Sequence, residues 1–295
     1  MTNTSQFPAT FDGVRLDTLA YNIETISGED LIPGVRSNDI ALPGRHGSVP
    51  ILGKKFDNSR YIQSMWVNGC NVDGTLPPVL RRNEFRKNLD TLKALFGKRN
   101  ALITVLADIG DGTKREAFAQ CLSTVDFSVS GVNPLGRFVV ELDIPAVFWR
   151  DTADVDFDSL TGVTTSFAVN LATYAGATGI MEDLYIVIDG PCNAPKLIDN
   201  ATGHYVQYTG NLTAGQQWVV NTTLWTSKVG AGIAFTQSGT DQTAATVFSG
   251  QHTPRYFAVS PVPTSQATGP QLTFTNTGSS SAATRVRVRG RRKFL

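Results

Sequence analysis

The chain has 295 residues, 41% apolar and 17% charged, a balance that excludes a disordered polymer and leaves room for two ordinary buried cores. Its formal net charge of +1 excludes a broadly basic nucleic-acid-binding face, the more so because six of its 26 Lys and Arg fall in the single run RVRVRGRRKFL at 285–295. No stretch reaches the roughly 18 apolar residues of a membrane-spanning helix, and MTNTSQFPATFDGVRL lacks the features of a secretory leader, so a chain made in a cytoplasm and not inserted in a membrane is expected.

The first distinctive stretch is LIPGVRSNDIALPGRHGSVPILG at 31–53. A phosphate-binding loop would need Lys and Ser or Thr after its last glycine and a helix beyond it, whereas Gly47 is followed by Ser48, Val49 and Pro50. The stretch reads instead as a bend between strands, with Arg45 and His46 on a hairpin. GDGTK at 110–114 likewise reads as a turn, because it lies between strand-like segments.

One segment reads as a helix. In LPPVLRRNEFRKNLDTLKALFGKRN, Phe85, Leu89, Leu92 and Phe96 fall on one face of a 3.6-residue period. Pro77 and Pro78 suit its start and Gly97 a left-handed stop. Arg82, Arg86, Lys87, Asn88, Asp90 and Lys93 make up the opposite face, read as solvated or as a subunit contact.

The segments that follow are strand-like: ALITVLA, EAFAQCLSTVDFSV, and RFVVELDIPAVF, in which Phe138, Val140, Leu142 and Ile144 alternate with polar or outward residues. Charge then drops: residues 1–150 hold 17 basic and 16 acidic residues, residues 151–284 only 3 and 9. The change places a domain boundary near 150, giving domains 1–150 and 151–295. The second has DLYIVIDG, HYVQYTG, QQWVVN and RYFAVSP as strands between Gly, Asn and Pro turns, the pattern of a β-sandwich. Mainly β is therefore the expected fold class.

Chemistry is sparse. Cys70, Cys121 and Cys192 have no CxxC spacing, and His46, His204 and His252 belong to no HExxH or GxSxG motif, so no metal, no cofactor and no catalytic residues are expected. Asp151, Asp154, Asp156 and Asp158 read as a solvated acidic linker, with a Ca²⁺ site as the rival reading. Trp218 and Trp225 are candidates to stack on saccharide rings, against the alternative that each fills the core. Arg285, Arg287 and Arg289 share one face of a strand and Val286 and Val288 the other; with an acidic body, an intramolecular or subunit contact leads over an anionic polymer.

The order LPGRHGSVP, MWVNGCNVDG, NLDTLKALFG, REAFAQCLSTVDF and FVVELDIPAVFWRD resembles the distal tail proteins (minor tail proteins) of long-tailed bacteriophages, particularly those of actinobacteria, over roughly 10–150; DLYIVIDGPCNAPKLIDNATGHYVQYTGNLTAGQQWVV extends it more loosely. The resemblance implies an N-terminal β-sandwich or split barrel with one α-helix and a long hairpin, and a C-terminal galectin-like β-sandwich. It implies a structural virion protein rather than an enzyme. Six copies would form a homohexameric ring through 1–150, joining the tail tube protein to the tail-tip hub in the baseplate. DNA would pass through the ring at genome ejection without specific binding. Residues 151–295 would face outward, supporting a receptor-binding protein or, as the alternative function, gripping host cell-wall saccharide. Arg45, with His46, is then the candidate donor to a neighbouring subunit.

Overall fold

A computed structural model describes residues 9–27, 33–34, 40–41, 48–49, 56–77, 80–108, 113–130, 134–159, 166–249, 257–263, 265–278 and 283–295. The chain divides into two compact units, Met1–Arg150 with Leu295, and Asp151–Phe294. It is mainly β, built from antiparallel sheets.

The first unit runs β1 (Ala9–Phe11), β2 (Val14–Arg15), β3 (Tyr21–Ser27), β4 (Ile40–Ala41), β5 (Ser48–Val49), β6 (Ser59–Asn68), α1 (Arg81–Phe96), β7 (Ile103–Asp108), β8 (Lys114–Ser130) and β9 (Leu135–Ile144). Its main sheet has the order β2-β1-β7-β8-β9-β6-β3. The alternation in sequence fixes the register. Tyr61, Gln63 and Met65 of β6 face Leu142, Val140 and Phe138 of β9, and all six are buried. β8 and β9 form the long hairpin.

Helix α1 covers this sheet with Phe85, Leu92, Leu95 and Phe96, and the Phe96 ring meets Phe11 edge to face at 5.8 Å. Three details depart from the periodic reading. The helix begins at Arg81, beyond the prolines. Gly97 has φ −79°, so it is not a left-handed stop; a Cβ there would lie 2.5 Å from the Lys93 carbonyl oxygen that its own N–H binds, which is why a side chain does not fit. Asn88 is buried, not solvated: its Nδ2 donates to the carbonyls of Asn68 (3.0 Å) and Cys70 (2.9 Å), tying the helix to the end of β6.

The chain continues with β10 (Trp149–Asp151), which spans the boundary, and then β11 (Val155–Asp158), β12 (Ser166–Asn170), β13 (Tyr185–Asp189), β14 (Cys192–Asn193), β15 (Lys196–Asp199), β16 (Tyr205–Tyr208), β17 (Asn211–Leu212), β18 (Gln216–Asn221), β19 (Thr226–Ala231), β20 (Thr240–Asp241), β21 (Thr246–Ser249), β22 (Gln271–Thr275), β23 (Arg285–Gly290) and β24 (Lys293–Phe294). A six-stranded sheet, β11-β23-β13-β18-β19-β20, and a five-stranded sheet, β12-β22-β15-β16-β21, enclose one core. Ile186, Ile188, Trp218, Val286 and Val288 come from the first sheet; Val169, Leu197, Val206, Leu272 and Phe274 come from the second. Residues 257–261, the described part of RYFAVSP, form no strand; Val259 there makes a bridge to Met181.

Candidate functional site

The most heavily built polar feature is an ion-pair ladder on the six-stranded sheet. β23 lies between β11 and β13, so alternation sends Val286 and Val288 into the core and Arg285, Arg287 and Arg289 to the outer face. There the arginines meet carboxylates from both neighbours. Arg287 binds Asp189 through two contacts, Nε at 3.0 Å and Nη2 at 2.7 Å. Arg289 binds Asp156 directly opposite it at 2.6 and 2.7 Å, and Arg285 reaches Asp158 at 3.6 Å. Beyond the strand, Arg291 pairs with Asp154 (3.0 Å), Arg292 with Asp151 (2.7 Å) and Lys293 with Asp183 (3.1 Å). Phe235 lies beneath the ladder, with the Arg289 guanidinium 4.1 Å from its ring centre. The Arg289 hydrogen bonds hold the Asp156 carboxyl below its ordinary range.

The acidic segment is thus neither a solvated linker nor a cation site: Asp156 and Asp158 belong to a strand, and all four aspartates are paired with the basic run. Six positive charges and six carboxylates cancel within one unit, so the run presents no excess of cations to a polyanion. Among the described residues no group of three or more His, Cys, Asp or Glu has the geometry to hold a metal ion, and the three cysteines are free.

The candidate residues fare differently. Arg45 and His46 lie outside the described residues; the strands on either side, β4 and β5, pair antiparallel as Ile40↔Val49 and Ala41↔Ser48. Trp218 is fully buried and stacks on Tyr208 (5.8 Å, 26°), so its indole offers no face to a sugar ring. Trp225 differs. It sits in the turn between β18 and β19 with φ +56°, 38% exposed, one face stacked on Phe248 at 6.3 Å and Leu224 exposed beside it.

Two features were not read from the sequence. Asp199 is wholly buried at the end of β15, where it accepts hydrogen bonds from the Thr202 hydroxyl (2.7 Å) and the Ala201 N–H (3.3 Å) of the turn that follows; burial pushes its carboxyl up to about 6. The other is an apolar cavity of about 380 Å³ between α1 and the β8–β9 hairpin, lined by Leu89, Leu92, Phe96, Cys121, Leu122 and Phe138, with Lys93 and Arg99 also on its wall. A β-bulge creates part of it: Cys121 pairs with Leu142 and Ser123 with Glu141, which leaves Leu122 unpaired and 46% exposed. Burial pushes the Cys121 thiol up, partly offset by the positive charge of Arg99. Alternation hints at the bulge, since CLST breaks the in-out order of β8.

Two antiparallel all-β units, the first carrying one long helix over its sheet, define the class of fold. No family model and no curated protein matches the chain. Among solved structures it matches the phage SPP1 protein described as "SPP1 Dit (gp 19.1) Protein, a Paradigm of Hub Adsorption Apparatus in Gram-positive Infecting Phages", with a TM-score of 0.63 and 13% identity, over 98% of this chain and 99% of that one. Two structures of the phage P2 baseplate in its activated conformation, with Ca and with Sr, match at TM-scores of 0.37 and 0.38 and identities of 9% and 7%. The chain has the fold of a phage distal tail protein.

Proposed function

We propose that this chain is a structural protein of a phage tail tip, acting by geometry rather than by catalysis. The observation that carries the reading is the end-to-end correspondence with SPP1 Dit, which spans both units rather than one shared sandwich. In this reading residues 1–150 form a six-membered ring between tail tube and tail-tip hub. The ring leaves a channel for DNA, Arg45 donates to the adjacent subunit, and residues 151–295 form an outward galectin-like sandwich. A cyclic ring requires two different surfaces on each copy, and the mixed charge of residues 1–150 can supply both.

Light scattering with negative-stain imaging tests this: particles with six times the 31.8 kDa chain mass and six-fold symmetry are expected, from the purified chain or from chain assembled with its tail neighbours. A strictly monomeric chain that turns over a substrate would refute it. A second activity, attachment to host cell-wall saccharide by the second unit, rests on Trp225 alone, because Trp218 is buried. Cell-wall pull-down by the full chain, lost on Trp225→Ala, is its test; equal retention of that variant would end it.

A further inference from the structure

Positive charge gathers on one element of the first unit. Residues 81–99, α1 and the three residues after it, hold seven Lys and Arg against two acidic side chains, although residues 1–150 as a whole are close to balance at 17 and 16. Elsewhere in the unit cations are answered: Arg15, Arg60, Arg137 and Arg150 each meet a carboxylate. Within the segment Lys87, Lys93 and Lys98 are engaged by Glu84, Asp90 and Asp12. Arg82, Arg86 and Arg99 are exposed and make no ion pair, hydrogen bond or ring contact among the described residues. Three guanidinium groups thus remain available to carboxylates from outside the unit.

These arginines are in line with the apolar cavity. Arg82, Arg86, Leu89 and Lys93 recur at i, i+4, i+7 and i+11 and form one stripe along α1. Leu89 and Lys93 are also on the cavity wall, so the stripe runs from two unpaired arginines into a hollow of about 380 Å³, which has Arg99 on its wall as well. Arg82 and Arg86 are about 6 Å apart along the axis, and the cavity begins at Leu89, about 10 Å from Arg82. An extended peptide sends alternate side chains to one face at a spacing of about 6.6 Å. Two carboxylates at alternate positions therefore match Arg82 and Arg86, and the next side chain on that face, about 13 Å along, falls over the cavity. A nucleic acid supplies the anionic groups but no aliphatic anchor for the hollow. A fatty acid fills the hollow but brings one carboxylate to three cations.

We propose that this face of α1 docks an acidic segment of another protein, with carboxylates at alternate positions on Arg82 and Arg86, an aliphatic side chain two residues further on in the cavity, and a third carboxylate on Arg99. The inference does not need the ring reading, since all its residues lie on one copy. The anchor supplies the buried contact, and the charges around it fix the register.

The probe is a fluorescein-labelled peptide, Glu-Ser-Glu-Ser-Leu-Ser-Glu-Ser-Glu, whose side-chain order is the same in both directions and so suits either chain polarity. Its binding to the full chain is followed by fluorescence anisotropy at about 50 mM salt, with light scattering on the same samples. Saturable binding is expected. Replacing the peptide's Leu by Ser should weaken it at least about 10-fold. The chain carrying both Arg82→Gln and Arg86→Gln, at exposed positions, should bind about 10-fold more weakly with an unchanged thermal melt. Absence of binding, equal binding of the Ser peptide, or equal binding by the double variant overturns the proposal. Single-stranded DNA of equal charge, or dodecanoate, displacing the probe at a lower concentration than unlabelled peptide also overturns it, and names a polyanion or a lipid as the occupant. If the peptide instead splits assemblies of the chain into monomers, the face belongs to a second copy and the proposal falls. Whether six-fold particles form is read separately, so the ring reading stands or falls on its own.

Discussion

Arg287 and Arg289 offer a controlled comparison of burial, because the same guanidinium–carboxylate geometry occurs twice on one strand. Arg287 and Asp189 have side chains 19% and 12% exposed; Arg289 and Asp156 are 38% and 54% exposed, at contact distances that are slightly shorter. If distance decided strength, the second pair would be the stronger. Two unit charges about 4 Å apart attract by about 4 kcal/mol at an effective dielectric of about 20 and by about 1 kcal/mol in water. Desolvation returns part of the first figure, so a coupling of about 2 kcal/mol is expected for Arg287–Asp189 and about 0.5 kcal/mol for Arg289–Asp156. Arg287→Ala alone should cost about 3 kcal/mol, because Asp189 keeps only Gln217 Nε2 (2.8 Å) as a described side-chain partner. Double-mutant cycles to alanine isolate each pair, and the Arg289 contact with Phe235 cancels in its cycle. The assay is urea-dependent hydrogen exchange of the β13 and β23 amides, which reads the second unit without interference from the first. Equal couplings, or a larger one for the exposed pair, would refute the argument that burial sets the strength of the ladder.

Three further outcomes are expected. Asp199 has its carboxyl raised from an ordinary 3.8 to about 6 in the folded chain. Its contribution is fully present below the ordinary value and is lost as pH rises through about 6; relative to Asp199→Asn, the native chain should lose about 3 kcal/mol between about pH 4 and about pH 7 in chemical denaturation, and a pH-independent difference would count against buried charge as the cause. Gln63 is fully buried in β6, its Nε2 on the Met65 sulfur at 3.2 Å and its Oε1 without a partner among the described residues. Gln63→Leu should raise stability by about 1 kcal/mol, read as a higher melting temperature of the first unit, and a lower one would show that the oxygen is satisfied. Trp218→Ala should destabilise the sandwich by about 3–5 kcal/mol and Trp225→Ala by under about 1.5 kcal/mol; comparable losses by urea titration would contradict their different burial.

What the sequence disclosed follows from the range of its signals. Alternation is local, so RFVVELDIPAVF showed its buried face directly, and Val286 and Val288 were separated from their arginines by the same rule. The helical period located α1 but treated every polar side chain as solvated, which misplaced Asn88; its partners are carbonyls 18 and 20 residues upstream, beyond any periodic reading. The aspartates at 151–158 are equally visible, yet their partners are 127 to 141 residues away, and only the pairing of β11 with β23 brings the two runs together. The cavity depends on three separate segments and a bulge, so its residues carry no joint signature in the chain. In sequence Trp218 suits a core and a sugar face equally well, because indole serves both, and only the strand's placement between β13 and β19 decides it.

The position of β23 has a consequence for synthesis. Because residues 285–290 are flanked by β11 on one side and β13 on the other, the six-stranded sheet is split in two until that segment has left the ribosome. Over that interval residues 151–284 carry nine acidic and three basic side chains, a mutually repelling set that resists premature collapse. The arriving arginines both insert the missing strand and discharge the repulsion, so closure of the second unit is a late, non-local event. A nascent chain stalled before residue 285 should therefore be cut readily by protease beyond residue 151 and resist it before.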